Sequence, residues 1–289
     1  MGVILAATAL AVAAATMWVT RAPGRPAVDA ALLEAWGPLL GPEANPVVCI
    51  ATPAVMILKS YRDGTVPPQP HAMPVPEEVA AWYAEQRGGI GDRKVYMQTT
   101  VNDALLGDAM AAATAVRVLA GAGETAAVLP EAGLRPLALR GRNVVLIGSP
   151  GYSKYAARIL ANMPFSVYYD AAKEQEVIAD RAPESGPARE FVPKMDAKGQ
   201  LQEAYGLLTV IPGQDGRTRT VVLSGITSAG PQAAMEYFAS AASLRDLKAR
   251  FAREGYKTMP AAYQVVVRCG LDGTLALNWA YAAHAVARR

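Results

Sequence analysis

Residues 143–153 read Asn143-Val144-Val145-Leu146-Ile147-Gly148-Ser149-Pro150-Gly151-Tyr152-Ser153, and a helix is expected directly after them, from Lys154 to Met163. A short, uninterrupted apolar run closed by a glycine turn is the pattern of a strand buried on both faces. The order strand, glycine loop, helix recurs once. Thr220 to Ser224 is an apolar run, Gly225-Ile226-Thr227-Ser228-Ala229-Gly230 is the loop, and Pro231 opens a helix that Gln232 to Ser240 continue. Proline suits a first helical turn because its missing N–H would have no partner there. Two such units predict an α/β domain.

Working outward, Pro46 to Ala51 reads as a further buried strand and Ala126 to Leu129 as a short one. Asp29 to Leu40 carries Leu32, Leu33, Trp36 and Leu39 at helical spacing and stops at Gly41-Pro42. Residues 60–76, rich in Pro and Gly, read as a surface loop, and a helix is expected from about Pro76 to Arg87. An Ala-rich helix running to Ala120 should begin near Thr100 or Asn102 as its cap. Ser166 to Tyr169 and Glu176 to Asp180 predict an antiparallel hairpin, and 182–200 a polar loop. Tyr205 to Ile211 pairs with the Thr220 strand across Asp215-Gly216. Ser243 to Glu254 is an amphipathic helix, and Ala262 to Cys269 and Thr274 to Ala282 are terminal strands around Asp272-Gly273. The expected fold is α/β, with a mixed, mainly parallel sheet flanked by helices in a Rossmann-like three-layer arrangement, covering residues 46–289 as one domain.

Composition narrows the function. Of 289 residues, 52% are apolar and 18% charged, a balance that favours collapse over disorder. A net charge of +3 with scattered Lys and Arg gives no stripe for tracking phosphates, so no direct nucleic-acid partner is expected. Cys49 and Cys269 lie far apart without a CxxC or a His companion, and His71 and His284 are the only histidines. No metal site or cofactor is therefore expected, although one long-range disulfide stays open if the domain faces an oxidising compartment.

At the other end of the chain, Gly2 to Val19 is free of charge, long enough as a helix to cross the hydrocarbon, and closed by Trp18 and by Arg21, Pro23, Arg25 and Pro26. Residues 2–19 read as a transmembrane signal anchor and 20–45 as linker and short helix. A cleaved signal peptide competes, since Ala13-Ala14-Ala15 fits a small-residue cleavage site, but no basic residue precedes the apolar run. The membrane is thus an expected partner through residues 2–19.

The best candidate site lies between the two glycine loops. Backbone N–H groups at a strand-to-helix turn can hold an anion, and ligands of open α/β sheets bind outside the carboxyl ends of the strands. If the two strands are neighbours, Gly148, Ser149, Gly151, Tyr152 and Ser153 face Gly225, Thr227, Ser228, Gly230 and Gln232 across one crevice suited to a small polar ligand. Neither loop is a GxGxxG or P-loop motif, and ordinary turn glycines would look the same. Ser149, Ser153 and Ser228 lack a GxSxG context and a nearby histidine in the sequence, which leaves no assigned catalytic residue. Asp170 and Asp180 could be a carboxylate pair, Glu236 could face the crevice, and Tyr152, Tyr155, Tyr168 and Tyr169 could stack on a ligand ring.

Trp36-Gly37-Pro38-Leu39-Leu40 ahead of the Pro-Val-Val-Cys strand, the NVVLIGS run at 143–149 and VVLSGITSAGPQAAMEYF at 221–238 together resemble a bacterial domain of Acidobacteria. That domain follows the transmembrane helix of ToxR-like winged-helix regulators. The resemblance spans about residues 30–282. It implies a single-pass inner-membrane protein with an extracytoplasmic sensor domain, whereas Arg21 and Arg25 favour a cytoplasmic one by the positive-inside rule; the resemblance is given the greater weight. No winged helix precedes the apolar segment, so the chain is either a stand-alone relative or one whose start was placed late. Three functions follow as expectations: a membrane-anchored ligand-sensing or binding module, a hydrolase acting on a nucleotide or sugar, and a scaffold for an envelope protein partner.

Overall fold

The computed structural model describes residues 27–67, 72–100, 103–181, 183, 188–213 and 215–287. In chain order the elements are α1 (Ala30–Trp36), a 3-10 turn at Gly37–Leu40, β1 (Val47–Ile50), β2 (Val55–Tyr61), β3 (Met73–Pro74), α2 (Glu77–Gln86), β4 (Lys94–Thr100) and α3 (Leu106–Gly121). There follow β5 (Ala127–Pro130), a 3-10 turn at Pro136–Leu139, β6 (Val144–Ile147), α4 (Lys154–Leu160), β7 (Phe165–Asp170) and β8 (Gln175–Asp180). The last are β9 (Glu190–Phe191), β10 (Lys194–Met195), β11 (Leu201–Pro212), β12 (Arg219–Gly225), α5 (Ala229–Ala239), α6 (Ala241–Arg253), β13 (Tyr263–Asp272) and β14 (Leu275–Val286).

Among the described residues, eight strands form the central sheet in the order β14-β13-β11-β12-β6-β1-β5, with β10 added beside β11. It is mixed, as the sequence predicts. β5, β1, β6 and β12 run parallel, and β11, β13 and β14 continue it antiparallel. Two small antiparallel sheets, β2-β4-β3 and β7-β8-β9, lie beside it. Neither β2 nor β4 is among the strands expected from the sequence, although β2 opens on the apolar run Val55-Met56-Ile57-Leu58, and Thr100, expected near a helix cap, ends β4 instead. Val101 and Asn102 lie outside the described residues, and Leu105 is the residue at the start of α3.

Alternation along the strands sends side chains to two unequal layers. Val48, Val145, Ile147, Leu208 and Leu223 point into the main core, under α3, α5, α1 and α6. Val47, Cys49, Val144, Leu146 and Val222 point the other way into a smaller cluster closed by Ala156 of α4. Beyond it, Gln264 of β13 holds the β7 hairpin to the sheet. Its side chain accepts from Phe165 N at 2.6 Å and donates to Phe165 O at 3.0 Å and to Thr209 Oγ1 at 2.9 Å.

Of the segment read as linker and short helix, α1 and the 3-10 turn after it are built into the core. Trp36 is fully buried, stacks on Phe238 at 4.8 Å between ring centroids, and donates from Nε1 to Phe238 O at 2.9 Å. Arg219 donates to Glu34 O and Ala35 O at the end of α1, placing a cation where the last helical carbonyls have no partner. Asn143 ties the rest down, donating to Pro38 O and Ala44 O and accepting from Arg219 N. Asp29 caps α1, its carboxylate accepting from Ala31 N, so α1 and the turn after it pack with the strands that follow residue 46. The proposed anchor, with Trp18, Arg21 and Arg25, lies outside the described residues, as does His71. Among the described residues no helix is long and apolar enough to cross a membrane.

Candidate functional site

β6 and β12 are parallel neighbours, Val144 opposite Thr220 through Ile147 opposite Leu223, so their glycine loops emerge side by side. Ser149 joins them. Its hydroxyl donates to Gly225 O at 2.6 Å and accepts from Gly225 N at 3.1 Å, and it is 1% exposed. The crevice assumed from the sequence therefore has its two walls adjacent, but much of its expected lining is already engaged.

In the first loop, Gly148 (φ 145°) makes room: a Cβ there would stand 2.3 Å from the Ala51 Cβ and 3.3 Å from the Tyr152 ring. Gly151 is exposed. Ser153 is fully buried, caps α4 by accepting from Ala156 N at 3.0 Å, and donates to Glu131 Oε2 at 2.6 Å. Glu131 Oε1 accepts from Tyr155 N at 3.3 Å. A carboxylate of the chain itself thus sits at the helix N-terminus that the sequence marked for an external anion.

The second loop is a packing joint. A Cβ on Gly225 would stand 2.5 Å from Tyr205 O, one on Gly230 2.6 Å from the same atom, and one on Gly206 2.2 Å from Gly230 O. Backbone rests on backbone here, which seats α5 on β11 and β12. A Cβ on Gly107 would stand 2.0 Å from Ser228 O, so α3 is pressed against the same turn. Gln232 is buried and exchanges hydrogen bonds with the backbone of Ala276 on β14. Thr227 (φ 55°) is exposed, and its N–H donates to Glu176 Oε2 at 3.4 Å, a second carboxylate of the chain on a loop amide.

What sequence reasoning missed is Asp108. It lies in the first turn of α3, where an acidic residue looks like ordinary dipole compensation. Its side chain is fully buried, Oδ2 accepts from the Tyr152 hydroxyl at 2.9 Å, and Oδ1 has no hydrogen-bond partner. Burial pushes its pKa up from 3.8 to about 6 although the Tyr152 hydrogen bond opposes the rise. Burial, together with Asp108, pushes the Tyr152 hydroxyl up as well. Glu131 and Glu176 were not singled out by sequence either, because nothing in a single sequence says which strand-end carboxylates turn inward. The chain matches no protein-family model and no curated protein.

Several sequence candidates are dispersed by the structure. Asp170 pairs with Gln175 and Asp180 with Phe165 in the hairpin register, which puts the two aspartates at opposite ends of the ribbon, on the order of 16 Å apart. A carboxylate pair for glycoside chemistry needs about 5 to 10 Å. Asp170 is held by Lys173 at 2.6 Å, whose ammonium keeps its pKa low, and Asp180 by Arg189 at 3.0 Å. Glu236 accepts from Thr114 Oγ1 at 2.8 Å and joins α5 to α3 instead of facing the crevice. Tyr155 donates to Leu134 O, and Tyr168 and Tyr169 are exposed on the hairpin, so the four tyrosines form no stacking platform. Cys49 and Cys269 are buried free thiols on strands with three others between them, about 19 Å of sheet and too far to bridge. Burial raises their pKa values to about 12 and about 11, which makes neither a thiolate nucleophile. His284 accepts or donates at Tyr281 and Glu254, far along β14, and burial lowers its pKa.

Proposed function

We propose that the chain is a ligand-sensing or binding module, anchored in a membrane by residues 2–19 with its domain on the extracytoplasmic side, that takes a polar ligand at the carboxyl ends of β6 and β12. The observation that carries the reading is the buried Asp108 oxygen without a partner. A buried acceptor left unmet is costly, and perturbed carboxyl groups of this kind cluster at functional sites. The reading also corrects the ligand chemistry. Glu131 already sits at the N-terminus of α4 and Glu176 on the Thr227 amide, so the crevice favours a molecule that brings hydrogen-bond donors, such as a protonated amine or a polyol, over a phosphate. Gly151 and Thr227, one in each loop, are exposed.

The test is a thermal-shift comparison of the full chain and Asp108→Asn against amines, polyols and inorganic phosphate at pH 8. Donor-bearing compounds should raise the melting temperature of the wild type and not of the variant. Stabilisation by phosphate, equal in both proteins, would refute the crevice. For the anchor, deletion of residues 2–19 should release the chain from the membrane fraction, and a C-terminal reporter should register outside the cytoplasm.

The hydrolase alternative loses its residues with the dispersal of Asp170, Asp180 and Glu236. One feature favours the scaffold alternative: β14 is a sheet edge that exposes Leu277 and Trp279. Leu277→Lys would weaken a complex formed there and leave crevice binding intact.

A further inference from the structure

At the opposite end of β6 and β12 from the glycine loops, the thin layer over the sheet leaves a cavity of about 450 Å³. The volume is within the usual range of small-molecule sites, roughly 300 to 1,000 Å³. Its body is apolar. Val144 and Leu146 of β6 and Ile211 of β11 form one side, and Ile159 of α4 and Leu139 of the 3-10 turn form the other. The opening exists because α4 has only seven residues and covers the smaller cluster without reaching the start of the strands.

Three arginines, Arg140, Arg142 and Arg158, line the same cavity. Among the described residues none of them pairs with a carboxylate. Arg142 donates from Nη2 to Asn45 Oδ1 at 2.8 Å, and its Nε is buried without a partner. A guanidinium offers paired N–H donors that match a carboxylate. Three unpaired ones around an apolar chamber, one with an unmet donor, lack an anionic counterpart with an apolar body. Asp108, Glu131 and Glu176 lie at the other end of these strands, while Asp215, beside the cavity wall, is taken up by Thr218 and the backbone of its own turn.

We propose that this cavity binds a carboxylate with an apolar body of about ten carbons, of the fatty-acid type, its head between the arginines and its tail against Leu146, Ile159 and Ile211. The site is separate from the glycine-loop crevice and stands or falls independently of it.

The probe is decanoate, titrated calorimetrically into the full chain held in phosphatidylcholine nanodiscs, with the heat of empty discs subtracted. Decanol and decyltrimethylammonium test the need for the anion, and inorganic phosphate tests the need for the tail. One decanoate per chain should bind, the other three should not, and affinity should fall at least tenfold in Arg140→Gln/Arg158→Gln. Both arginines are exposed, so this variant should keep the wild-type melting temperature. Ile159→Trp, which fills the chamber, should abolish binding, and the arginine variant decides alone if the tryptophan variant unfolds. Equal binding of decanol, equal binding of phosphate, no decanoate binding at all, or unchanged affinity in the arginine variant would each overturn the proposal. So would loss of the decanoate signal on replacing the discs by phosphatidylglycerol discs, which would assign the arginines to lipid headgroups.

Discussion

The two glycine loops look alike in the sequence and do different work in the fold. After β6, Gly148 makes room for side chains, and polar groups turn inward around it: Ser149, Tyr152 and Ser153 all end in hydrogen bonds to the chain. After β12, Gly225 and Gly230 make room for backbone, with Gly206 completing a joint in which a helix rests on a sheet. A glycine that lets side chains in can belong to a binding site. A glycine that lets backbone touch backbone belongs to the core, and changing it tests folding rather than recognition.

The largest effect should come from Gly230→Ala. Its Cβ would press on Tyr205 O, a backbone atom that cannot move aside, and urea unfolding should show a loss of at least about 3 kcal/mol. Gly148→Ala presses on the Ala51 methyl instead, so Ala51→Gly should restore part of its stability while no side-chain change rescues Gly230→Ala. Rescue of both, or of neither, would erase the distinction between the loops.

Asp108→Asn should come next, and its sign depends on pH. Folding raises the Asp108 pKa from 3.8 to about 6, so the stability its neutral form contributes is complete below about pH 4 and lost as pH rises through about 6. At pH 8 the buried carboxylate costs the wild type about 3 kcal/mol that the asparagine does not incur. The variant should therefore gain on the wild type by about that amount between pH 4 and pH 8, read as melting temperature at each pH. A difference that stays constant with pH would mean that Asp108 ionises normally.

Ser149→Ala sharpens the comparison at the point where the loops meet. It removes the bridge and leaves the Gly225 N–H and C=O without their side-chain partner in a dry place, an expected cost of about 2 kcal/mol in chemical unfolding. A cost near zero would mean that the loops are held together by backbone packing alone.

Much of the fold was legible because strands buried on both faces announce themselves. Val144 to Ile147, Pro46 to Ala51 and Tyr205 to Ile211 could hardly be anything else, and the hairpin at 165–180 falls where alternation and turn residues place it. β4 escaped because it is half-exposed and mixes Lys94, Gln98 and Thr99 with Val95 and Met97, whereas β2 opens on the apolar run Val55-Met56-Ile57-Leu58 and was simply overlooked beside the main sheet. The membership of α1 in the core was hidden by the Pro and Gly that surround it, and the buried Trp36 with its contacts to Phe238, together with the Arg219 bonds to Glu34 O and Ala35 O, reveals it. At the site, the adjacency of the loops followed from strand order, which a sequence of alternating elements can suggest. The burial of Asp108, and the turning of Glu131 onto the start of α4 and of Glu176 onto the Thr227 amide, depend on side-chain directions that no local pattern encodes.

The central claim is that the first loop encloses a buried carboxyl group with an unmet oxygen. It is tested most directly by following the Asp108 side-chain carbon by NMR as the full chain is titrated with acid. A midpoint near 6, paired with a response of the Tyr152 ring over the same range, is the predicted result. A midpoint near the ordinary 3.8 would show an oxygen already solvated or bonded, and the crevice would lose the observation on which its ligand rests.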